Sequence, residues 1–407
     1  MTPAWFKPRG YKHLDAPVGE RFAIKSSNPD FVKSHDWLPL IHYIKRDKRY
    51  KPLEGRTVYK DRPIRYASHR DACILSRYAQ ELDVALNTFY DQNDLGEHVV
   101  AYRKLGKSNY DFSAAAYRFS MANAPCMVLC FDITGFFDHL NHGILKSRLK
   151  RALGVKGLSD DWHKVFRNVT NFKQIFRADL AAHPIFGPRL KSRDCDIIST
   201  ISVVKAEGLQ IKVNANDYGI PQGTPISSSF SNLYMIEVDS IMSSLCNERG
   251  GLYQRYSDDI LLVCKVNDAA EIEAALQTVI SEHGLELKEE KSDRVAFNAE
   301  HPKAFQYLGF NISPDGVTIR PGSLSRQWRR AKRSIAKIKK IGEAAIAAGT
   351  AKKIYTKKLR KKLSPVGVRN FSAYARRSAK VFGSKKIVQQ VCRLERMADQ
   401  AIRDLKE

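Results

Sequence analysis

Residues 252–264 read LYQRYSDDILLVC, two apolar, β-favouring runs with a pair of acidic residues between them. Short runs of this kind around a polar centre predict a hairpin, with Asp258 and Asp259 at its tip. Adjacent carboxylates between apolar flanks repel each other and lose water, so they call for a compensating cation. A lone Asp-Asp pair is more often a solvated turn. What argues against that blander reading is a third carboxylate, Asp132, at the end of the apolar run MVLCFD (127–132), which reads as a buried strand. Three carboxylates at strand ends suit hard, oxygen-seeking Mg²⁺. Two such ions about 4 Å apart serve in-line phosphoryl transfer, a scheme shared by polymerases and many nucleases.

Outward from this centre the chain alternates helical and strand signals. Ile74, Tyr78, Leu82, Leu86 and Phe89 recur at helical spacing from Asp71 to Phe89, and HVVAYRKLGKS (98–108) reads as a strand and a basic turn. After Asp132 come Thr134 and Gly135, then helical spacing through Leu145, Leu149 and Leu153, so the order is strand, turn, helix. A second strand and turn are expected around Tyr218 to Pro225, a helix over Ser227 to Met242, another over 269–283, and one strand over FQYLGFNI (305–312). The fold class is therefore mixed α/β of the α+β kind. Residues 1–59 are basic and aromatic without a clear period and form an N-terminal extension; 60–312 form the core; 313–407 are helical and basic.

The formal charge is +25, from 68 Lys and Arg against 43 Asp and Glu, more than solubility requires. A polyanion is the natural partner. No stretch approaches the roughly 18 to 20 apolar residues of a membrane span, and MTPAWFKPRGYKHL contains no secretory apolar core, so a cytoplasmic location is expected. The seven scattered cysteines, with no CxxC, read as reduced thiols. His139 and His142 form an HxxH with no third ligand nearby, and a helix start is the simpler account. Between Arg320 and Lys362 sixteen Lys or Arg face one acid, Glu343, which suits phosphate contact.

The motifs FDITGFFD, GIPQGTPISSSFSNLYM, YSDDILLV, LELKEEKSD and FQYLGF resemble, in sequence and in order, the palm motifs of reverse transcriptases. The resemblance covers about residues 60–312, some three-fifths of the chain, and is most specific at PQGTPIS and YSDD. It implies a right-hand polymerase, with fingers and palm built on an antiparallel sheet and a helical basic thumb. It also implies that Asp132 and Asp258, assisted by Asp259, bind two Mg²⁺ ions, and that Lys291 protonates the pyrophosphate leaving group. Phe137 matches the bulky position that clashes with a ribose 2′-hydroxyl. Gln222 and Gly223 lie where the family approaches nucleotide and template. Arg103 resembles the fingers arginine that clamps the triphosphate, with Lys104 beside it. Arg65 and Arg70 in RYASHRDACILSRYA (65–79) match the first fingers motif and would touch template. Arg326, Arg329, Arg330, Arg333 and Lys337 lie where the thumb grips duplex. Ordinary core packing, a simple turn or a solvated surface remains the plainer account of each such residue taken singly.

Size and motifs are similar to the defence-associated reverse transcriptases of bacteria, type 2 systems among them; retron and group II intron enzymes are more distant. The expected function is RNA-directed DNA synthesis in the cytoplasm from deoxynucleoside triphosphates, copying an associated noncoding RNA into cDNA during antiphage defence. Template-independent or protein-primed DNA synthesis is one alternative, and a non-catalytic RNA-binding module is another.

Overall fold

The computed structural model describes residues 2–51, 55–194, 196–365, 367 and 369–405. In chain order the strands are β1 (Leu40–Lys51), β2 (Arg56–Tyr66), β3 (Cys126–Asp132), β4 (Lys173–Phe176), β5 (Lys212–Val213), β6 (Leu252–Tyr256), β7 (Asp259–Cys264), β8 (Asp293–Phe297), β9 (Phe305–Tyr307), β10 (Phe310–Ser313) and β11 (Gly316–Ile319). The helices that frame the site are α1 (His69–Gln92), α2 (His142–Leu153), α3 (Ser227–Tyr234), α4 (Ile236–Glu248), α5 (Ala269–Glu282), α6 (Pro321–Ala347), α7 (Phe371–Phe382) and α8 (Lys385–Asp404).

Strands β6, β7, β3 and β8 form an antiparallel sheet in that order. Successive side chains of a strand point to opposite faces. On β3, Leu129 and Phe131 enter a core shared with Tyr78, Leu82, Leu233 and Leu276, whereas Cys126 and Val128 enter a second core with Phe305, Phe310 and Val391. Helices α1, α3 and α5 supply residues to the first face, and α7, α8 and the β9–β11 sheet to the second. Burial on both faces explains why these strands read as unbroken apolar runs. The expected architecture of helices around antiparallel sheets is the one observed.

α1 extends the expected helix by two or three residues at each end, and Ser68 caps it by accepting the Asp71 N–H. Strands β1 and β2 pair in a long antiparallel hairpin, from Ile41 opposite Tyr66 to Lys51 opposite Arg56, and β1 also runs parallel to β4. Described residues of the N-terminal extension also enter the cores. Leu14 and Ile41 pack with Ile175 and Phe186, Val32 and Leu40 join the main core, and the boundary drawn at 59/60 falls inside β2.

Four local expectations are corrected. Segment 98–108 contains only one bridge, Val99 to Arg255, because Tyr102 takes a positive φ of 62° that no strand continues through. Tyr218 makes a single bridge to Asn141 in place of a strand. Ser227–Met242 is broken into α3 and α4 at Met235. FQYLGFNI is two strands, β9 and β10, turned at Leu308 and Gly309, whose φ values are 43° and 96°.

In the C-terminal part, α6 buries only Ala331, and Ile335 and Ile338 lean on a small cluster of Leu359, Ile402 and Leu405. The six described cysteines form no disulfide; Cys195 lies outside the described residues. No described helix is long and apolar enough to cross a membrane.

Candidate active site

The apolar interior of the central sheet stops at a ledge of carboxylates. Asp132 ends β3 directly opposite Asp259, which begins β7, and Tyr256 faces Asp259 across the β6–β7 hairpin. Ser257 and Asp258 form the turn, and the Ile133 N–H donates to the Asp258 carbonyl at 3.1 Å. Asp132 is thereby gathered at one sheet end with Asp258 and Asp259, more than a hundred residues later in the sequence.

Electrostatics at the ledge are unbalanced. Asp259 opens to solvent at its surface, yet the protein crowded around its carboxyl pushes its pKa up to about 6. The charge of Asp258 raises it further, and Arg320 and Lys60 pull it down. Carboxyl groups with excess negative charge favour a cation among them. Part of that demand is met by Lys291. Leu287 bridges Ile133, the Lys288 N–H donates to the Asp132 carbonyl at 2.7 Å, and the turn at Glu289–Lys291 then brings the Lys291 ammonium onto Asp132 Oδ2. As the side chains stand, no three His, Cys, Asp or Glu among the described residues close around one point. The donor set itself, carboxylate oxygens at the mouth of a sheet, fits hard divalent ions. It does not extend to the HxxH. His139 stacks on Tyr218, His142 Nε2 bonds the Gly219 carbonyl at 2.8 Å, and Asn141 caps α2 as a plain helix start.

The motif around Gln222 lies against the residues that follow β3. The Ile220 N–H donates to the Phe137 carbonyl at 2.9 Å, and the Arg65 N–H at the end of β2 donates to the Gln222 carbonyl at 2.7 Å. Phe136 is buried in the core, and Phe137 beside it keeps part of its ring accessible. Gly223 has a φ of 111°, and a Cβ there would stand 2.8 Å from the Arg65 carbonyl oxygen. The close approach that glycine permits at this position is to β2. Arg65 is half-buried over the Phe172 ring and donates through Nε to Gln174 Oε1 at 2.7 Å, and Arg70 is exposed at the start of α1.

Arg103 and Lys104 are engaged elsewhere. The Arg103 guanidinium stacks over Tyr90 and donates to Asn87 Oδ1 and to the carbonyls of Gly96 and Val99 at 2.7–2.9 Å, while Lys104 donates to Gln80 Oε1 at 3.0 Å. The positive charges that act on Asp259 are those of Lys60, from the β1–β2 hairpin, and Arg320, at the N-cap of α6. The sequence reading placed Arg320 only as the start of the basic segment and did not single out Lys60. Arg326, Arg329, Arg330, Arg333 and Lys337 are all solvent-facing or partly so along α6.

The sequence matches the profile of the family described as reverse transcriptase (RNA-dependent DNA polymerase) over residues 67–312. No curated protein matches it significantly. Among solved structures it is similar to apo telomerase from Candida tropicalis, with a TM-score of 0.53 at 12% identity over 99% of this chain and 66% of that one. A C-terminally truncated form of the same telomerase gives 0.46 at 14% identity, covering 77% and 63%. The RNA-dependent RNA polymerase of a human picobirnavirus gives 0.39 at 15%, covering 68% and 43%. The chain thus spans less than two thirds of the length of these proteins, and at 12% identity the likeness to the apo telomerase is one of fold.

Proposed function

The chain belongs to the reverse transcriptase (RNA-dependent DNA polymerase) family, and from that premise we propose that it copies RNA into DNA from deoxynucleoside triphosphates at the Asp132, Asp258 and Asp259 ledge. The observation that carries this reading is the register pairing of Asp132 with Asp259, with Asp258 in the adjoining turn. These three residues would hold two Mg²⁺ ions, which when bound supply Lewis-acid activation of a primer hydroxyl and neutralise charge on the triphosphate.

The remaining roles belong to the chain's own groups. Lys291 carries a proton on an ammonium already drawn to the ledge by Asp132, which suits it to protonate departing pyrophosphate. Lys60 and Arg320 bring positive charge to Asp259, which supports a share for them beside Arg103 in clamping the triphosphate. Phe137 keeps its ring accessible beside the motif that carries Gln222, which supports a gate against the ribose 2′-hydroxyl. Gln222 and Gly223, packed on the backbone of Arg65, would form the wall between nucleotide and template. The cations along α6 would hold the duplex by its phosphates without reading sequence.

The finer reading is that the template is a structured noncoding RNA and that the cDNA acts in bacterial antiphage defence. Its support is the likeness of GIPQGTPISSSFSNLYM and YSDD to defence-associated enzymes. Purified protein with Mg²⁺ is expected to extend DNA on its bound RNA. Asp258→Ala combined with Asp259→Ala should lower extension by at least about 10³-fold, the scale of losing a preorganised charged group, with RNA affinity retained. Undiminished extension by that double variant would sink the assignment. Sequencing of co-purified nucleic acid tests the template class, and full phage protection by the double variant would favour an RNA-binding role over catalysis.

A further inference from the structure

Two non-glycine residues with left-handed backbone, Tyr102 and Ser257, both at φ 62°, meet hydroxyl to hydroxyl at 3.1 Å. Bulky residues avoid this region, and when they occupy it the surrounding structure must hold them there. Here the holding groups are identifiable. The Ser257 side chain is tied to Tyr102, and the Ser257 carbonyl accepts from Arg255 Nη1 at 3.1 Å. Arg255 is fully buried and forks onto Asp239, Nε to Oδ1 at 2.6 Å and Nη2 to Oδ2 at 2.7 Å, with Tyr253 Oη donating to the same carboxylate at 2.7 Å. Nη1 also reaches Asn232 Oδ1, and the Asn232 amide donates to the Ala101 carbonyl at 2.9 Å. Backbone bonds from Arg255 to His98 and from Val100 to Arg255 close the circuit. A hairpin turn needing positive φ is ordinarily supplied by Gly, Asn or Asp without such bracing.

We propose that Tyr102 and Arg255 are positioning residues that hold Ser257 from its hydroxyl and its carbonyl, and so fix the direction in which Asp258 presents its carboxylate. The inference rests on the reading of Asp258 as a metal ligand. Loss of the brace leaves the aspartate in place but lets it wander, so ion affinity falls before fold or RNA binding does.

Arg255→Ala would strand a buried Asp239 and confound the result, so the test uses Tyr102→Phe, Ser257→Ala and the two combined. Mn²⁺ is titrated into the protein bound to an RNA–DNA primer–template, with free ion read by electron paramagnetic resonance. Each single variant should weaken Mn²⁺ binding by about fivefold, the scale of one hydrogen bond. The Mg²⁺ needed for half-maximal extension should rise in parallel, with thermal midpoint and duplex affinity unchanged. The double variant should be no worse than either single one, because both remove the same link. Wild-type Mn²⁺ affinity in Tyr102→Phe, additive losses in the double variant, or a lowered thermal midpoint without an affinity change would each overturn the brace. If Asp258→Asn binds Mn²⁺ and extends as wild type does, the metal-ligand reading beneath it is what fails.

Discussion

At Asp259 three influences meet in one carboxyl: the crowding of protein around it, the neighbouring charge of Asp258, and the opposing charges of Arg320 and Lys60. Burial is the largest of them, so a charged carboxylate is costly to hold at this position, and a divalent ion among the carboxylates would offset that cost. The aromatic pair that follows divides by burial. Phe136 is buried among core side chains, while Phe137 leans on the same core and is only partly buried, so of the two it is the one placed to meet a nucleotide. Phe137→Ala should therefore relax sugar selection. Relative incorporation of ribonucleotides, measured by primer extension with each nucleotide type separately, is expected to rise by about 10²-fold, the discrimination that shape alone supplies. Unchanged selectivity would return Phe137 to the core. Arg103 shows a different case: its charge and position in sequence suit a phosphate clamp, while its Nε and Nη1 are engaged by Asn87 and two carbonyls.

Among the elements, the turn at Gln222 and Gly223 links the β1–β2 hairpin to the motif that follows β3, because β2 comes closer there than any Cβ allows. Gly223→Ala combines an unfavourable φ with a backbone clash. It should destabilise the protein by about 1–3 kcal/mol, seen as a lower midpoint in thermal or urea denaturation. An unchanged midpoint would mean that β2 and this turn can separate freely. Strand identity was legible where both faces of the sheet are buried, as in β3 and β7. It was not legible at 98–108 or 305–312, where positive-φ residues, Tyr102 in the first and Leu308 with Gly309 in the second, redirect a chain of otherwise β-favouring composition.

For the molecule as a whole, two long-range properties can be measured. The row of cations along α6 predicts steep salt dependence of nucleic-acid binding. Reversal of Arg326, Arg330 and Arg333 to Glu should weaken duplex binding uniformly across sequences and reduce the slope of log K against log salt by about one for each phosphate left without its cation. A slope equal to wild type would place the duplex elsewhere. The second property is acid sensitivity. His13, from the N-terminal segment, is buried with Nδ1 accepting the Leu14 N–H at 2.8 Å, and burial, helped by the charge of His69, lowers its pKa from 6.5 to about 3. The unfolded chain takes up a proton below pH 6.5 that the folded chain refuses. Its contribution to stability is thus intact above pH 6.5 and declines as pH falls toward 3, by up to about 1.4 kcal/mol per pH unit. Urea denaturation between pH 7 and 5 checks this: His13→Gln should flatten the loss, and an identical slope in the variant would show that other groups carry it.

Local order alone, carboxylates at the ends of apolar runs and the succession of motifs around them, determined the carboxylate ledge and the antiparallel sheet that carries it. Such features depend on neighbours along the chain and on side-chain alternation, which a sequence displays directly. Folding decided what surrounds the ledge: Lys60 arriving from a hairpin nearly two hundred residues upstream of Asp259, Arg320 from the start of α6, and Arg103 tied through Nε and Nη1 to Asn87, Gly96 and Val99. Charges act through space rather than along the backbone, so which cations reach a carboxylate is fixed only when distant strands are packed together.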